Sequence, residues 1–160
     1  MYRSFCRPSQ WPWISMQKTI EQVLAEEGQG FFQTVGDSME PLLHHRKSTV
    51  VIQAPASRLK RWDVALFRRP TGEYVLHRVI RVEPDGYRIL GDNRLWPEMV
   101  PAGWVIGVMA GFYPDESGQY VSCQSPAYRS YLKTLRLRRA RLWLLALPGR
   151  VRRKAFSFRR

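Results

Sequence analysis

The sequence lacks several features that would place a protein quickly in a structural class. Its 160 residues include only two cysteines, Cys6 and Cys123, too few for a disulfide scaffold, and no Cys/His cluster has the spacing of a zinc site. The longest unbroken apolar run of the C-terminal segment has six residues, whereas a membrane-spanning helix needs ~20. The N-terminus lacks the apolar region of a secretory signal. We therefore expect no metal ion, no other cofactor, no membrane anchor and a cytoplasmic location.

Acidic residues are absent from residues 125–160, which hold 12 of the 26 Lys and Arg residues. The first 124 residues contain the other 14 bases and all 13 acids, so the net charge of +13 belongs almost entirely to the C-terminal segment. An apolar stripe runs through this segment at helical spacing: Tyr128, Tyr131, Leu132, Leu135, Leu142 and Leu145. A basic face beside an apolar face is typical of a helix in the membrane interface. We expect peripheral binding to a membrane surface through residues 125–160. The open alternative is that the stripe packs on the β-domain or on a partner, and nucleic acid is a less favoured partner.

Strand-like segments fill the middle of the chain. Residues rich in Val, Ile and aromatic side chains alternate with turns that contain Pro or Gly, and the strand-like segments are 49–53, 62–67, 74–82, 87–90 and 105–113. Before them, Thr19 and Gln22 have the spacing of a capping box, and the short helix that they begin ends near Gly28. The sequence predicts a mainly β domain over residues 31–124, an N-terminal extension with a short helix over 1–30, and a basic helical tail over 125–160.

A serine lies in the first of three short segments whose residue types suit nucleophilic catalysis. Gly36 permits a sharp turn before it, and Pro41 prevents a helix from continuing after it. A serine on such a turn is exposed beside free backbone N–H groups, which are the parts that a nucleophile and an oxyanion hole require. Ser38 is the candidate nucleophile, and the candidate residues for the substrate and the oxyanion hole are Gly36, Asp37 and Met39. Gly-Asp-Ser is also common in ordinary turns, so this segment alone decides nothing.

The second segment supplies a histidine. His77 stands inside the apolar strand-like segment, and the ordinary pKa of histidine, about 6.5, suits a general base for serine. His44 and His45 lie in a polar loop beside basic residues, which makes them poorer bases. His77 is therefore the candidate base, although a lone histidine in a strand is more often structural.

The third segment, Gly91-Asp92-Asn93, supplies an acid. A carboxylate here would orient the imidazole and stabilise its charged form. Asp92 is one candidate, and Glu98 in the following loop is the other. Gly-Asp-Asn is again ordinary turn chemistry when it is considered alone.

Together the segments resemble the signal-peptidase-like and LexA-like serine peptidase superfamily, over about residues 32–113. The nucleophile box of that superfamily, Gly-x-Ser-Met-x-Pro, is similar to residues 36–41, and its next box, an acidic residue before a strand, to residues 63–67. Its last box, Gly-Asp-Asn, matches residues 91–93. The base box has Lys before Arg-Val-Ile in bacterial enzymes, whereas His77 precedes Arg-Val-Ile here, as in signal peptidases of the endoplasmic-reticulum and archaeal type.

The resemblance implies a signal-peptidase/LexA-like β-fold and a serine endopeptidase. Ser38 would attack a peptide carbonyl, His77 would take its proton, and Asp92, or alternatively Glu98, would hold His77. We favour Asp92 because it lies inside the matched box, whereas Glu98 follows Pro97 in a loop. The implied partner is a peptide or protein substrate, bound as an added strand with small residues near the scissile bond. The chain departs from the family pattern in two ways. Gly36 stands where the family often has a hydroxyl residue that assists the oxyanion hole. Family signal peptidases are anchored in the membrane, whereas we expect no anchor here.

Two other functions fit the same composition. A non-catalytic β-domain could use the basic tail to bind nucleic acid or an anionic membrane. A transcriptional regulator would need a DNA-reading helix-turn-helix, for which residues 1–30 are too short, and a lysine in place of His77. Hydrogen-bond reach between the side chains of Ser38 and His77 would favour the enzyme.

Overall fold

The computed structural model of the protein describes residues 18–115 and 118–146, with side chains up to residue 140. Most of the predicted N-terminal extension and the end of the predicted tail, including the side chains of Leu142 and Leu145, lie outside this part. In chain order the elements are α1 (Ile20–Glu27), β1 (Gln29–Gln33), β2 (Thr49–Gln53), β3 (Val64–Arg68), β4 (Tyr74–Glu83), β5 (Gly86–Leu90), β6 (Glu98–Pro101), a short 3₁₀ helix (Ala102–Trp104), β7 (Val105–Tyr113), β8 (Val121–Ser122) and α2 (Pro126–Ala146).

Within the described residues the strands form one antiparallel sheet of eight strands, which confirms the prediction of a mainly β fold. Their order is β1-β2-β7-β3-β4-β5-β6, and β8 pairs with β7. Two predicted details are wrong. The strand expected from residue 62 begins at Val64, because Trp62 has a left-handed backbone with φ 84°. Glu98, expected in a loop, is the first residue of β6 and pairs with Ile89 of β5.

Helix α1 begins and ends where local chemistry requires it. The Thr19 hydroxyl accepts a hydrogen bond from the Gln22 backbone N–H at 3.3 Å, and the Gln22 side chain accepts one from the Thr19 N–H at 2.8 Å, so the predicted capping box is present. Gly28 adopts φ 72° and ends the helix. Val23 and Leu24 are the buried side chains of the helix.

The hydrophobic core has two parts, one on each face of β3. Successive side chains of a strand point to opposite faces. Val64 and Leu66 therefore belong to one cluster, with Tyr128 of α2, whereas Ala65 and Phe67 belong to the other. All four of these β3 residues are buried, as expected of a strand in the middle of the sheet.

The first half of α2 packs on the sheet. Tyr128 and Leu135 are buried, with 4% and 1% exposure, and Tyr131 and Leu132 pack against the first core cluster. In the described residues the apolar stripe of the tail therefore packs on the β-domain, as one of the two alternatives to membrane binding expects. None of the helices in residues 18–146 that the structure describes is long and apolar enough to cross a bilayer.

Candidate active site

The three segments meet at the turn that follows β5, which we call the Gly91 turn (Gly91, Asp92 and Asn93). The Asn93 backbone N–H donates to the Ser38 carbonyl oxygen at 2.8 Å. A Cβ atom placed on Gly91 would lie 2.7 Å from that oxygen and 3.1 Å from His77 Nε2. Ser38 and His77 thus both lie against the α-carbon of Gly91, and any side chain there would displace them.

Polar contacts hold the loop that carries Ser38 at the two residues before the serine. Gly36 has φ 97°, a conformation that favours glycine, and its N–H donates to His45 Nδ1 at 2.8 Å. The Asp37 carboxylate pairs with the Arg94 guanidinium at 2.6 Å. The hydrogen bond from Arg94 holds the pKa of Asp37 below its ordinary value. The segment with Ser38 is therefore tied directly to the segment that follows the Gly91 turn.

Ser38 is half-buried, and in the described residues its hydroxyl and backbone N–H are free. Among the described residues, neither the Ser38 hydroxyl nor the backbone N–H groups of Ser38 and Met39 form a hydrogen bond, and none joins Ser38 to His77. The Met39 side chain is buried in the first core cluster, and this fixes the loop just after the serine. Two neighbouring free N–H groups beside a free hydroxyl are what an oxyanion hole and a nucleophile require.

His77 is held by a carboxylate on the ring nitrogen that faces away from the Gly91 turn. Its Nδ1 lies 3.2 Å from Glu98 Oε1, and only 13% of the side chain is exposed. Arg69 donates to both Glu98 oxygens, at 3.1 and 2.9 Å. Burial lowers the pKa of His77 below its ordinary value, and the charge and hydrogen bond of Glu98 oppose this shift. At neutral pH the imidazole is therefore neutral, with Nε2 able to accept a proton.

The carboxylate beside His77 thus belongs to Glu98, the alternative candidate, and not to Asp92. The Asp92 oxygens accept hydrogen bonds from Arg78 Nε at 2.8 Å and Nη2 at 2.5 Å, and both side chains are fully buried. His77 and Arg78 are neighbours on β4, so their side chains point to opposite faces of the sheet. Asp92 turns toward the face of Arg78, whereas Glu98 on β6 reaches the face of His77.

Several residues of the site were not singled out from the sequence. Arg69 anchors Glu98, Arg94 anchors Asp37, and Arg78 and Tyr131 anchor Asp92. Arg78 stands directly after the candidate histidine in the matched motif, which was the only available signal. The partner of each arginine depends on the pairing of strands that are distant in the chain.

An apolar groove of about 390 Å³ opens beside Ser38. Six of its apolar lining residues are Phe32, Val35, Leu43, Ile52, Leu66 and Leu76. One wall is the chain that leaves β1, and the other is the start of β4. Strand β5 pairs with β4 only from Arg78 onward, so in the described residues the segment 74–77 has a strand neighbour on one side alone. A backbone edge beside an apolar groove is a surface to which an extended peptide can add as a strand.

The remaining histidines do not build a second site. His45 accepts from Gly36, and His44 Nδ1 lies 3.9 Å from a Glu40 carboxylate oxygen on the exposed surface. Within the part of the chain that the structure describes, no group of three or more His, Cys, Asp or Glu side chains could hold a metal ion.

No model of a known protein family matches the sequence, and no curated protein matches it. The resemblance to signal-peptidase-like enzymes therefore rests on the short motifs of the sequence. The chemical assignment of the site rests on the geometry given above.

Proposed function

We propose that the protein is a serine endopeptidase of the signal-peptidase-like type, with Ser38 as nucleophile, His77 as general base and Glu98 as the carboxylate that orients His77. The observation that carries the proposal is the position of the His77 imidazole between Glu98 and the Gly91 turn. Its Nδ1 lies against Glu98, and its Nε2 lies against the Gly91 turn, where the backbone of Ser38 is docked. This order of carboxylate, imidazole and serine is the arrangement of a catalytic triad.

Each group has a defined part in the reaction. Glu98 accepts a hydrogen bond from the Nδ1–H of His77, which leaves Nε2 free to accept a proton. As Ser38 Oγ attacks the peptide carbonyl, its proton passes to Nε2, and the carbonyl oxygen becomes an oxyanion bound by the free N–H groups of Ser38 and Met39. The imidazolium then protonates the leaving amine, and water hydrolyses the acyl-enzyme with His77 again as base. The Ser38–His77 hydrogen bond, absent among the described residues, is of a kind that often tightens only when substrate binds.

The groove supports an extended peptide as the substrate class. A strand laid along residues 74–77 of β4 would pass Ser38 and place alternate side chains into the apolar groove. The lining by aliphatic residues favours apolar side chains in the substrate segment that occupies the groove. Small residues next to the scissile bond are what the family resemblance implies.

A cytoplasmic location belongs to the same proposal and is supported by the low cysteine content of the sequence, two residues in 160.

The direct test is labelling of Ser38 with a fluorophosphonate probe, which phosphonylates activated serines with loss of fluoride. We expect labelling of the full-length protein, and loss of both labelling and peptidase activity in Ser38→Ala, by ~10³-fold or more. The matched control is Ser57→Ala. Ser57 is an exposed serine outside the candidate site, so this variant should be labelled like the wild type. Equal labelling of Ser38→Ala and the wild type would overturn the proposal. An unlabelled wild-type protein that still binds extended peptides would instead support the non-catalytic binding module.

The outer face of α2 supports a second candidate function, attachment to an anionic membrane surface. Arg129, Lys133 and Arg136 are exposed at helical spacing, and residues 125–160 contain no acid. Because the apolar side of this part of the helix packs in the core, the attraction would be electrostatic, at ~1 kcal/mol for each basic residue near the lipid. We expect salt-sensitive binding to vesicles with phosphatidylserine, weakened in the double variant K133Q/R136Q but not in R46Q/K47Q. If the protein bound neutral vesicles as well as anionic ones, or preferred RNA to anionic vesicles, the proposed attachment to an anionic membrane would be contradicted.

A further inference from the structure

Helix α2 makes direct polar contacts with the Gly91 turn. The Tyr131 hydroxyl donates to Asp92 Oδ2 at 2.9 Å. Arg139 Nη2 donates to the Gly91 carbonyl oxygen at 3.3 Å and lies 3.4 Å from Asp92 Oδ1. Arg138 Nη2 donates to Asn93 Oδ1 at 3.3 Å. Each residue of the turn is therefore held by at least one side chain of α2.

The Gly91 turn connects these contacts to both halves of the proposed site. On one side, the Asn93 N–H holds the Ser38 carbonyl oxygen. On the other side, Asp92 holds Arg78, the residue next to His77 on β4. The Arg78 guanidinium also donates to the Tyr128 hydroxyl at 2.6 Å, so α2 contacts both members of the buried ion pair. A shift of α2 would therefore move the supports of both Ser38 and His77.

The chemistry of Arg139 indicates a role other than packing. Its side chain is 18% exposed, its Nε is buried without a hydrogen-bond partner in the described residues, and it shares the single carboxylate of Asp92 with Arg78. Burial lowers the pKa of Arg139, and the charge of Asp92 opposes this. An aliphatic side chain would fill the same space without the cost of burying a second cation. What only the guanidinium supplies is the pair of contacts to Gly91 and Asp92.

We infer that Tyr131 and Arg139 are positioning residues, which fix the Gly91 turn and through it the alignment of Ser38 with His77. The inference rests on the proposed function in so far as it concerns catalysis. Neither residue touches the groove, so the loss of either should lower kcat and leave KM for a peptide unchanged. Neither contacts His77 or Glu98, so the pH midpoint of the rate should also stay in place.

Amide hydrogen exchange tests the positioning without any need for activity. In Tyr131→Phe and Arg139→Gln, we expect the Asn93 amide to exchange about tenfold faster than in the wild type, the effect of losing one charge-assisted hydrogen bond. Amides of β2 and β7, in the centre of the sheet, should exchange at the wild-type rate. Lys133→Gln removes a charge from an exposed position of the same helix. It should leave the exchange rates of the Asn93 amide and of the β2 and β7 amides at their wild-type values. Arg139→Lys, which keeps the charge, should restore part of the protection.

The rate at which the fluorophosphonate probe reacts with Ser38 tests the catalytic consequence. We expect this rate to fall about tenfold in Tyr131→Phe and Arg139→Gln, with the same pH midpoint as the wild type. Unchanged exchange at Asn93 in both variants would overturn the inference, and so would faster exchange across the whole sheet, which indicates a merely structural role. An unreactive wild-type Ser38 would overturn the peptidase proposal, and the exchange measurement would still decide whether α2 holds the turn.

Discussion

Replacement of Glu98 by Gln distinguishes the proposed triad, in which Glu98 orients His77, from the triad with Asp92 that the sequence favoured. The two side chains have nearly the same volume, so the change removes the charge and keeps the packing. A Gln amide can donate a hydrogen bond to His77 Nδ1, which stabilises the tautomer with the proton on Nε2. That tautomer cannot accept the proton of Ser38. By analogy with Asp-to-Asn changes in serine-protease triads, we expect kcat to fall by ~10³ to 10⁴.

The same change should move the acid limb of the pH profile. Two opposite charges at 3.2 Å, the separation of His77 Nδ1 and Glu98, attract by about 5 kcal/mol at an effective dielectric constant of 20. Glu98 is 33% exposed and also pairs with Arg69, so solvent and the second partner weaken its attraction for the imidazolium. Glu98 raises the pKa of His77 against the effect of burial. Its removal should therefore lower the pH midpoint of the residual rate.

Two further variants complete the measurement. Glu73→Gln removes a carboxylate that also pairs with Arg69, at 3.2 Å and on the exposed surface, and should leave kcat at the wild-type value. Asp92→Asn leaves the buried Arg78 without its partner and should lower the free energy of unfolding by ~3–5 kcal/mol, measured by urea titration. Steady-state kinetics with a fluorogenic peptide would give kcat for all three. Wild-type activity in Glu98→Gln, together with a stable but inactive Asp92→Asn, would refute this reasoning.

Three other outcomes follow from the structure. Gly91→Ala should abolish peptidase activity, because its methyl group would overlap the Ser38 carbonyl and His77 Nε2, whereas Gly103→Ala, with no atom within 4 Å of its added methyl, should be as active as the wild type. Leu135→Ala should lower the free energy of unfolding by ~2–5 kcal/mol in denaturant titrations, and a Leu137→Ala change, at a side chain 66% exposed on the same helix, by less than ~0.5 kcal/mol. Because burial lowers the pKa of His77, kcat/KM should rise with pH, with a midpoint below the ordinary value of about 6.5, and should level off at higher pH; a midpoint above 6.5 would contradict a buried neutral imidazole.

Local sequence rules located the elements well where the determining contacts are close in the chain. The capping box of Thr19 and Gln22 depends on residues three apart, and the left-handed Gly28 closes the same helix. Alternation and turn residues identified β2, β3, β4, β5 and β7 to within about two residues. Strand β6 was missed because its four residues, with Pro at the end, carry no clear alternation and become a strand only by pairing with β5.

The composition and motifs of the sequence determined the mainly β class, the candidate serine and the candidate histidine, since each depends on residue type and short-range spacing. The identity of the carboxylate depended on the tertiary structure. His77 and Arg78 point to opposite faces of β4, and only the pairing of β5 with β6 decides that Glu98 reaches one face while Asp92 reaches the other. The helical period of the tail likewise showed which of its side chains share a face. What that face covers was decided by the sheet, because burial of Tyr128 and Leu135 requires a surface that is assembled from strands far away in the chain.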